Sequence, residues 1–216
     1  YRFRTLLVSD GTLADGRLEG DLWLVGGGDP VLDTDALDAM AHALAESGIT
    51  EVTGDFRVAT DALPFIDQID TAQLPHAGYN PSISALNLNF NRVFFEWERE
   101  GGEYTVRMDA RSAGLSPTVT VSRMTIEDRD YPVYTFERGE TREEWTVARA
   151  ALGNAGGRWL PVRDPPAYLA EVFQAVARNR GIEVGAPVFS ESAPPGALVL
   201  VEHASEPLED ILRGMM

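Results

Sequence analysis

The sequence predicts an α+β fold in which strand–helix–strand units flank an antiparallel β-rich insert. Two stretches, one opening at residue 33 or 34 and one carrying Leu169, Val172, Phe173 and Val176, place apolar side chains three and four apart, the period of a helix buried on one face. Each stops at a Gly-Ile pair that leads into an extended segment. Between them, from about residue 86 to about residue 150, apolar and polar residues alternate with a period of two and are interrupted by glycine turns.

The elements follow in order. Tyr1 to Val8 reads as a strand. Leu18, Gly20, Leu22 and Leu24 alternate with Glu19, Asp21, Trp23 and Val25, a strand whose second half is apolar on both faces. The stretch GDLWLVGGGDPVLD, residues 20–33, runs this strand into three glycines, and Asp33 or Thr34 then caps a helix carrying Leu37, Met40, Ala41 and Leu44 on one side. Gly48 supplies its left-handed end and Ile49 the accompanying apolar contact. A short strand over Glu51 to Ala59 follows.

Leu86, Leu88 and Phe90 alternate with Asn87, Asn89 and Asn91, which predicts a strand continuing through Val93, Phe95 and Trp97. Glu100-Gly101-Gly102-Glu103 turns it into a hairpin with Tyr104, Val106 and Met108. Val119–Val121, Val133–Phe136 and Trp145–Val147, with a turn at Arg138-Gly139, extend the pattern as an antiparallel meander. The second helix carries Leu169, Val172, Phe173 and Val176, stops at Gly181-Ile182 and gives way to an extended piece reaching Phe189. The matching helix stops are shared local physics rather than a repeat. Ser205 is the predicted cap of a last helix presenting Leu208, Ile211, Leu212 and Met215 and running into Met216. Linkers are expected at Asp67–Pro81, Gly153–Gly157 and Ser190–Gly196. An opening on Tyr1 in a strand pattern and an end on Met216 in a helix pattern predict a fragment of a longer protein.

Composition narrows the chemistry. The 216 residues carry a net charge of −16, which argues against nucleic-acid and polyphosphate partners. There is no cysteine, hence no disulfide, thiolate-metal or thiol chemistry, a composition that fits an oxidising cell envelope. All 18 cationic side chains are arginine, and lysine is absent. No apolar run approaches the roughly 20 residues of a membrane span.

Each local motif is tested against that background. A phosphate loop needs a lysine, and a dinucleotide loop needs a third glycine where Val31 stands after Gly26 and Gly28. The glycines are therefore read as backbone geometry at a strand exit. Asp29, Asp33, Asp35 and Asp38 suggest a calcium loop, but the twelfth position would be Met40 or Leu44, and acids at a helix start favour its dipole. His42, His76 and His203 share no zinc spacing. Ser116 sits in half of a Gly-x-Ser-x-Gly motif that fails at Thr118. Phe94, Phe95, Trp97 and Tyr104 are candidates for a sugar-stacking face, although their alternation assigns them to a core.

Six stretches, in order, resemble one family. YRFRT at the start, GDLWLVGGGDPVLD and GITEVTGDFRV are similar to the D-alanyl-D-alanine carboxypeptidase/endopeptidases, the class C penicillin-binding proteins. So are YNPSISALNLNFN (79–91), DPPAYLAEVFQAVARNRGIEVG (164–185) and HASEPLEDILRGMM (203–216), while residues 100–150 are only loosely family-like. The resemblance implies a serine nucleophile in Ser-x-x-Lys ahead of the first stretch, with Ser-x-Asn and Lys-Thr-Gly after the last. It therefore assigns no catalytic, cofactor-binding or metal residue to this chain, which has no lysine to complete two of those motifs.

The resemblance further implies that residues 1–160 form an accessory insert, β-rich at about 86–150, and that residues 161–216 return to a split transpeptidase-like domain. The parent protein would be a periplasmic or extracellular serine peptidase, acting through an acyl-enzyme on peptidoglycan stem peptides and acylated by β-lactams. The chain alone is expected to be inactive and to need no cofactor. The alternative is a non-catalytic module that binds peptidoglycan or a partner protein; a purely structural insert is the third reading.

Overall fold

The computed structural model describes residues 1–215, so the expected helical end at Met216 lies outside the described residues. Strands β1 (Arg4–Ser9), β2 (Thr12–Ala14), β3 (Arg17–Glu19) and β4 (Leu22–Gly26) precede helix α1 (Thr34–Glu46). Then come β5 (Glu51–Val52), β6 (Phe56–Ala59), β7 (Arg92–Glu100), β8 (Glu103–Asp109), β9 (Ser122–Glu127), β10 (Tyr134–Arg138), β11 (Glu143–Ala148) and β12 (Ala155–Pro161). Helix α2 (Pro165–Asn179), β13 (Pro187–Ser190), β14 (Leu198–Ala204) and α3 (Leu208–Met215) complete the described chain. A five-stranded sheet of order β13-β6-β4-β1-β14 is joined by three three-stranded sheets, β10-β11-β9, β12-β7-β8 and β2-β3-β5, confirming the α+β class.

One continuous core ties these layers together. It joins Leu7, Leu24 and Phe56 of the large sheet, Leu37 and Leu44 of α1, Phe173 and Val176 of α2, and Phe95 and Trp145 of the insert. Phe56 and Phe173 stack with ring centroids 5.3 Å apart. Both helices form as their caps require. Asp33 accepts from Ala36 N at 2.8 Å, and Asp164 from Ala167 N ahead of two prolines that fit the first turn. At the end of α2 the amides of Gly181 and Ile182 bond Arg178 O and Ala177 O, a full Schellman stop with Gly181 at φ +78°.

The three glycines of the opening stretch answer to steric contact. A Cβ on Gly26 would stand 2.2 Å from Ala85 O, and one on Gly27 would stand 2.6 Å from Arg4 O. Gly28 takes φ +77° and donates to Ala85 O at 2.8 Å. The exit of β4 thus lies directly on the backbone of the SISAL segment.

That segment departs from its sequence pattern. Residues 86–91 are not a strand: Asn89, Phe90 and Asn91 have φ of 52°, 57° and 51°, a left-handed turn before β7. Asparagine enters this region more readily than most residues, because its short amide bonds nearby backbone. The turn sends Asn89 and Asn91 inward and leaves Phe90 half exposed, so the expected apolar face at residue 90 is inverted. Asn89 exchanges bonds with Thr34, accepting from its N at 3.1 Å and donating to its Oγ1 at 2.9 Å. It also donates to the Tyr168 hydroxyl, which donates to Arg92 O at 3.0 Å. Asn91 accepts from Leu88 N and donates to Ser82 O and Asn87 Oδ1.

Other expectations change too. The insert is not a plain meander, because β9 pairs parallel with β11 while β10 pairs antiparallel with it. Val119–Val121 lies ahead of β9 rather than in a strand, and Glu51–Ala59 splits into two strands of different sheets. The expected linker at Gly153–Gly157 enters β12 at Ala155, where Gly156 and Gly157 leave room for the Trp97 and Phe94 rings. Ser205 does not cap α3; its Oγ accepts from Phe3 N at 3.0 Å and braces β1.

Replacement of Asn89 by alanine removes these bonds and strands buried partners, so it should cost about 3 kcal/mol. Phe90→Ala removes a larger but exposed side chain and should cost about 1 kcal/mol or less. Urea unfolding of the two variants checks the order; an equal or greater loss for Phe90→Ala would refute it.

Candidate functional site

The acids that suggested a calcium loop diverge. Asp33 caps α1, Asp35 accepts from Ser112 Oγ and Gly114 N, and Asp38 pairs with Arg180 at the end of α2. Asp29 is buried, accepts from Val31 N at 3.0 Å, and lies 3.7 Å from His203 Nε2. His42 is exposed beside Glu46, and His76 packs at 5.0 Å on the Tyr134 ring, where burial and Arg158 lower its pKa. No metal-holding group of His, Asp and Glu occurs among the described residues. Ser116 meets Arg107 and no base. Phe95 is wholly buried, and Trp97 packs against the same core.

The structure instead gathers titratable groups where no motif pointed. Glu143, at the start of β11, is 2 % exposed, and its Oε1 accepts from the amides of Arg163 at 2.6 Å and Asp164 at 2.8 Å. It therefore sits against the N-terminal end of α2, where backbone donors and the helix dipole favour an anion. Burial outweighs this help and pushes the carboxyl up from 4.5 to about 7. Arg163, equally buried, donates to the carbonyls of Asp67, Asn80 and Pro75 at 3.2, 2.9 and 2.8 Å. These bonds fasten the segment expected as a linker at Asp67–Pro81 to the body of the protein. The carboxyl lines a cavity of about 470 Å³ that also includes Arg138, Arg142, Asp164 and Phe189.

With this geometry established, comparison with known proteins is decisive. The model of the D-Ala-D-Ala carboxypeptidase 3 (S13) family matches residues 1–216. The chain belongs to that family. It is 25% identical to the D-alanyl-D-alanine carboxypeptidase DacB of Haemophilus influenzae, over all of this chain and 46% of that protein. It is 29% identical to the D-alanyl-D-alanine carboxypeptidase of Actinomadura sp. (strain R39), over 89% of this chain and 38% of that one. The crystal structure of penicillin binding protein 4 (dacB) from H. influenzae covers the whole chain with a TM-score of 0.76 at 24% identity, which shows a shared fold. The chain spans between 38% and 49% of the length of these relatives.

Within this S13 chain, Glu143 and Arg163 carried no sequence signal. Glu143 lies in the charged run Glu140-Thr-Arg-Glu-Glu144, which reads as solvated, but the parallel β9–β11 pairing and the N-terminal end of α2 bury it. Folding raises its pKa, so the folded chain retains a proton from about pH 4.5 to about 7 that the unfolded chain has lost. The resulting stability is full at low pH and fades as pH rises through about 7. Glu143→Gln keeps the acceptor for both amides without the charge. Its stability relative to the parent chain should therefore improve by on the order of 3 kcal/mol between pH 5 and pH 8. Urea midpoints at the two pH values measure this, and a pH-independent difference would sink it.

Proposed function

We propose that this chain is the non-catalytic portion of a serine D-Ala-D-Ala carboxypeptidase/endopeptidase of the cell envelope. The observation that carries the reading is a family match over residues 1–216 in a chain without a single lysine. A Ser-x-x-Lys nucleophile and a Lys-Thr-Gly motif therefore belong to sequence outside it. The parent protein would acylate its serine with peptidoglycan stem peptides and hydrolyse the acyl-enzyme, and β-lactams would occupy the same serine. A related structure is titled as a complex of penicillin binding protein 4 with a β-lactam, which supports this inhibitor class.

In this reading residues 1–160 are the accessory insert and residues 161–216 return toward the transpeptidase-like domain. The five-stranded sheet takes β1, β4 and β6 from the first part and β13 and β14 from the second. Movement of one part would therefore strain the other.

Incubation with a fluorescent penicillin tests the assignment. The 216-residue chain should remain unlabelled, and the full reading frame should label on one serine and release D-alanine from a D-Ala-D-Ala peptide. Covalent labelling of the chain alone would overturn the placement of the chemistry. An unlabelled parent protein would overturn the carboxypeptidase reading itself.

A further inference from the structure

Arg92, at the start of β7, differs from the other part-buried arginines. Its guanidinium makes no ion pair and no hydrogen bond among the described residues, and its Nε is enclosed without an acceptor. Desolvation lowers its pKa, and no carboxylate offsets the shift. The other part-buried arginines are engaged. Arg57, Arg111 and Arg129 meet carboxylates, and Arg158 and Arg163 donate to carbonyls.

The acids beside it are already taken. Arg92, Phe94 and Glu96 alternate along the outer face of β7, while Val93 and Phe95 point into the core. Glu96 and the buried Asp109, which stands opposite Phe94 on β8, both pair with Arg111, at 3.3 and 2.9 Å. A partly desolvated cation is therefore left without a counter-charge, an arrangement that costs stability unless something else supplies one.

Aromatic rings flank this cation. The Arg92 guanidinium lies over the rings of Phe90 and Trp159, 5.1 Å from each centroid. Trp159 stands opposite Phe94 in the β12–β7 register and meets that ring edge-on at 5.0 Å. A guanidinium set on aromatic rings keeps its in-plane N–H groups for an acceptor, and their fork matches the two oxygens of a carboxylate.

Phe90 adds an independent observation. Among the described residues it is the only bulky apolar residue at positive φ, the other non-glycine cases being Asp15, Asn89 and Asn91. A large side chain is strained there, and such strain persists only where the surroundings impose it. The hydrogen bonds of Asn89 and Asn91 impose it here, and the result is a phenyl ring held half exposed at Arg92.

We propose that Phe90, Arg92 and Trp159 form a binding site for a small aromatic carboxylate. Arg92 takes the carboxylate through its free N–H groups, and the ligand's ring packs on the exposed part of Phe90. A single negative charge is preferred, because a chain of net charge −16 repels ligands carrying more. Binding here is non-covalent and uses no residue of the family's catalytic motifs, so its failure would leave the penicillin-labelling test of the proposed function untouched.

Phenylacetate, titrated into the ¹⁵N-labelled 216-residue chain beside phenylacetamide, acetate and phenyl phosphate, provides the test. Phenylacetate should shift the amides of residues 89–94 and 157–160 and the Trp159 indole N–H, saturating at millimolar concentration. Phenylacetamide, without the charge, and acetate, without the ring, should each bind about fivefold more weakly. The doubly charged phenyl phosphate should bind less tightly than phenylacetate. Arg92→Gln removes a side chain that makes no bond within the fold, so it should erase the preference for acid over amide and leave the rest of the spectrum in place. Phe90→Ala should reduce phenylacetate to the affinity of acetate. Absence of saturable shifts at these residues, equal binding of acid and amide, tighter binding of phenyl phosphate, or unchanged binding in Arg92→Gln would overturn the proposal. So would a chain that sediments as a dimer and becomes monomeric in Arg92→Gln, because a second copy would then cover the patch.

Discussion

The fold depends on a buried polar joint, the asparagine-rich turn at residues 87–91. Asn89 alone bonds the start of α1 through Thr34 and the body of α2 through Tyr168. Thr34 continues the connection to Ala110 at the exit of β8, and Tyr168 continues it to Arg92 at the entrance of β7. Apolar packing between the two helices and the insert is non-directional and would tolerate several orientations. The hydrogen bonds of the joint are directional, and in a water-excluded interior an unmet one costs about twice what a met one contributes. They therefore select one orientation of the helices against the β-rich insert.

The same joint explains what could be read in the sequence and what could not. Helix caps and stops were legible because they are local: Asp33, Gly48 and Gly181 act within a few residues of where they stand. The Glu100–Glu103 hairpin was legible for the same reason, with Gly101 and Gly102 both at positive φ. Residues 86–91 misled because a left-handed turn reverses which side chains face inward, and alternation alone does not distinguish buried asparagine from exposed asparagine. The parallel β9–β11 pairing was hidden because the chain leaving β9 crosses the end of β11 to form β10 first, so no tight turn joins the paired strands. Glu143 and Arg163 were hidden in turn, since their burial follows from that pairing and from the path of a distant loop.

The stretches by which the chain resembles its family turn out to be contacts rather than chemistry. The Gly26–Gly28 run and the SISAL segment resemble the family for a common reason: a Cβ on Gly26 would stand 2.2 Å from Ala85 O, so each needs the other's backbone path. The Asp-Pro-Pro start of α2 is held likewise, its first amides meeting the Glu143 carboxyl while Tyr168, one turn on, enters the asparagine joint. Such mutual constraints admit few residue types, whereas the surface of the insert at residues 100–150 answers mainly to solvent and is only loosely family-like. The family can thus be recognised from a portion that lacks its reacting groups, because close backbone approach admits few residue types. It follows that sequence likeness in these stretches reports how the parts are fitted together.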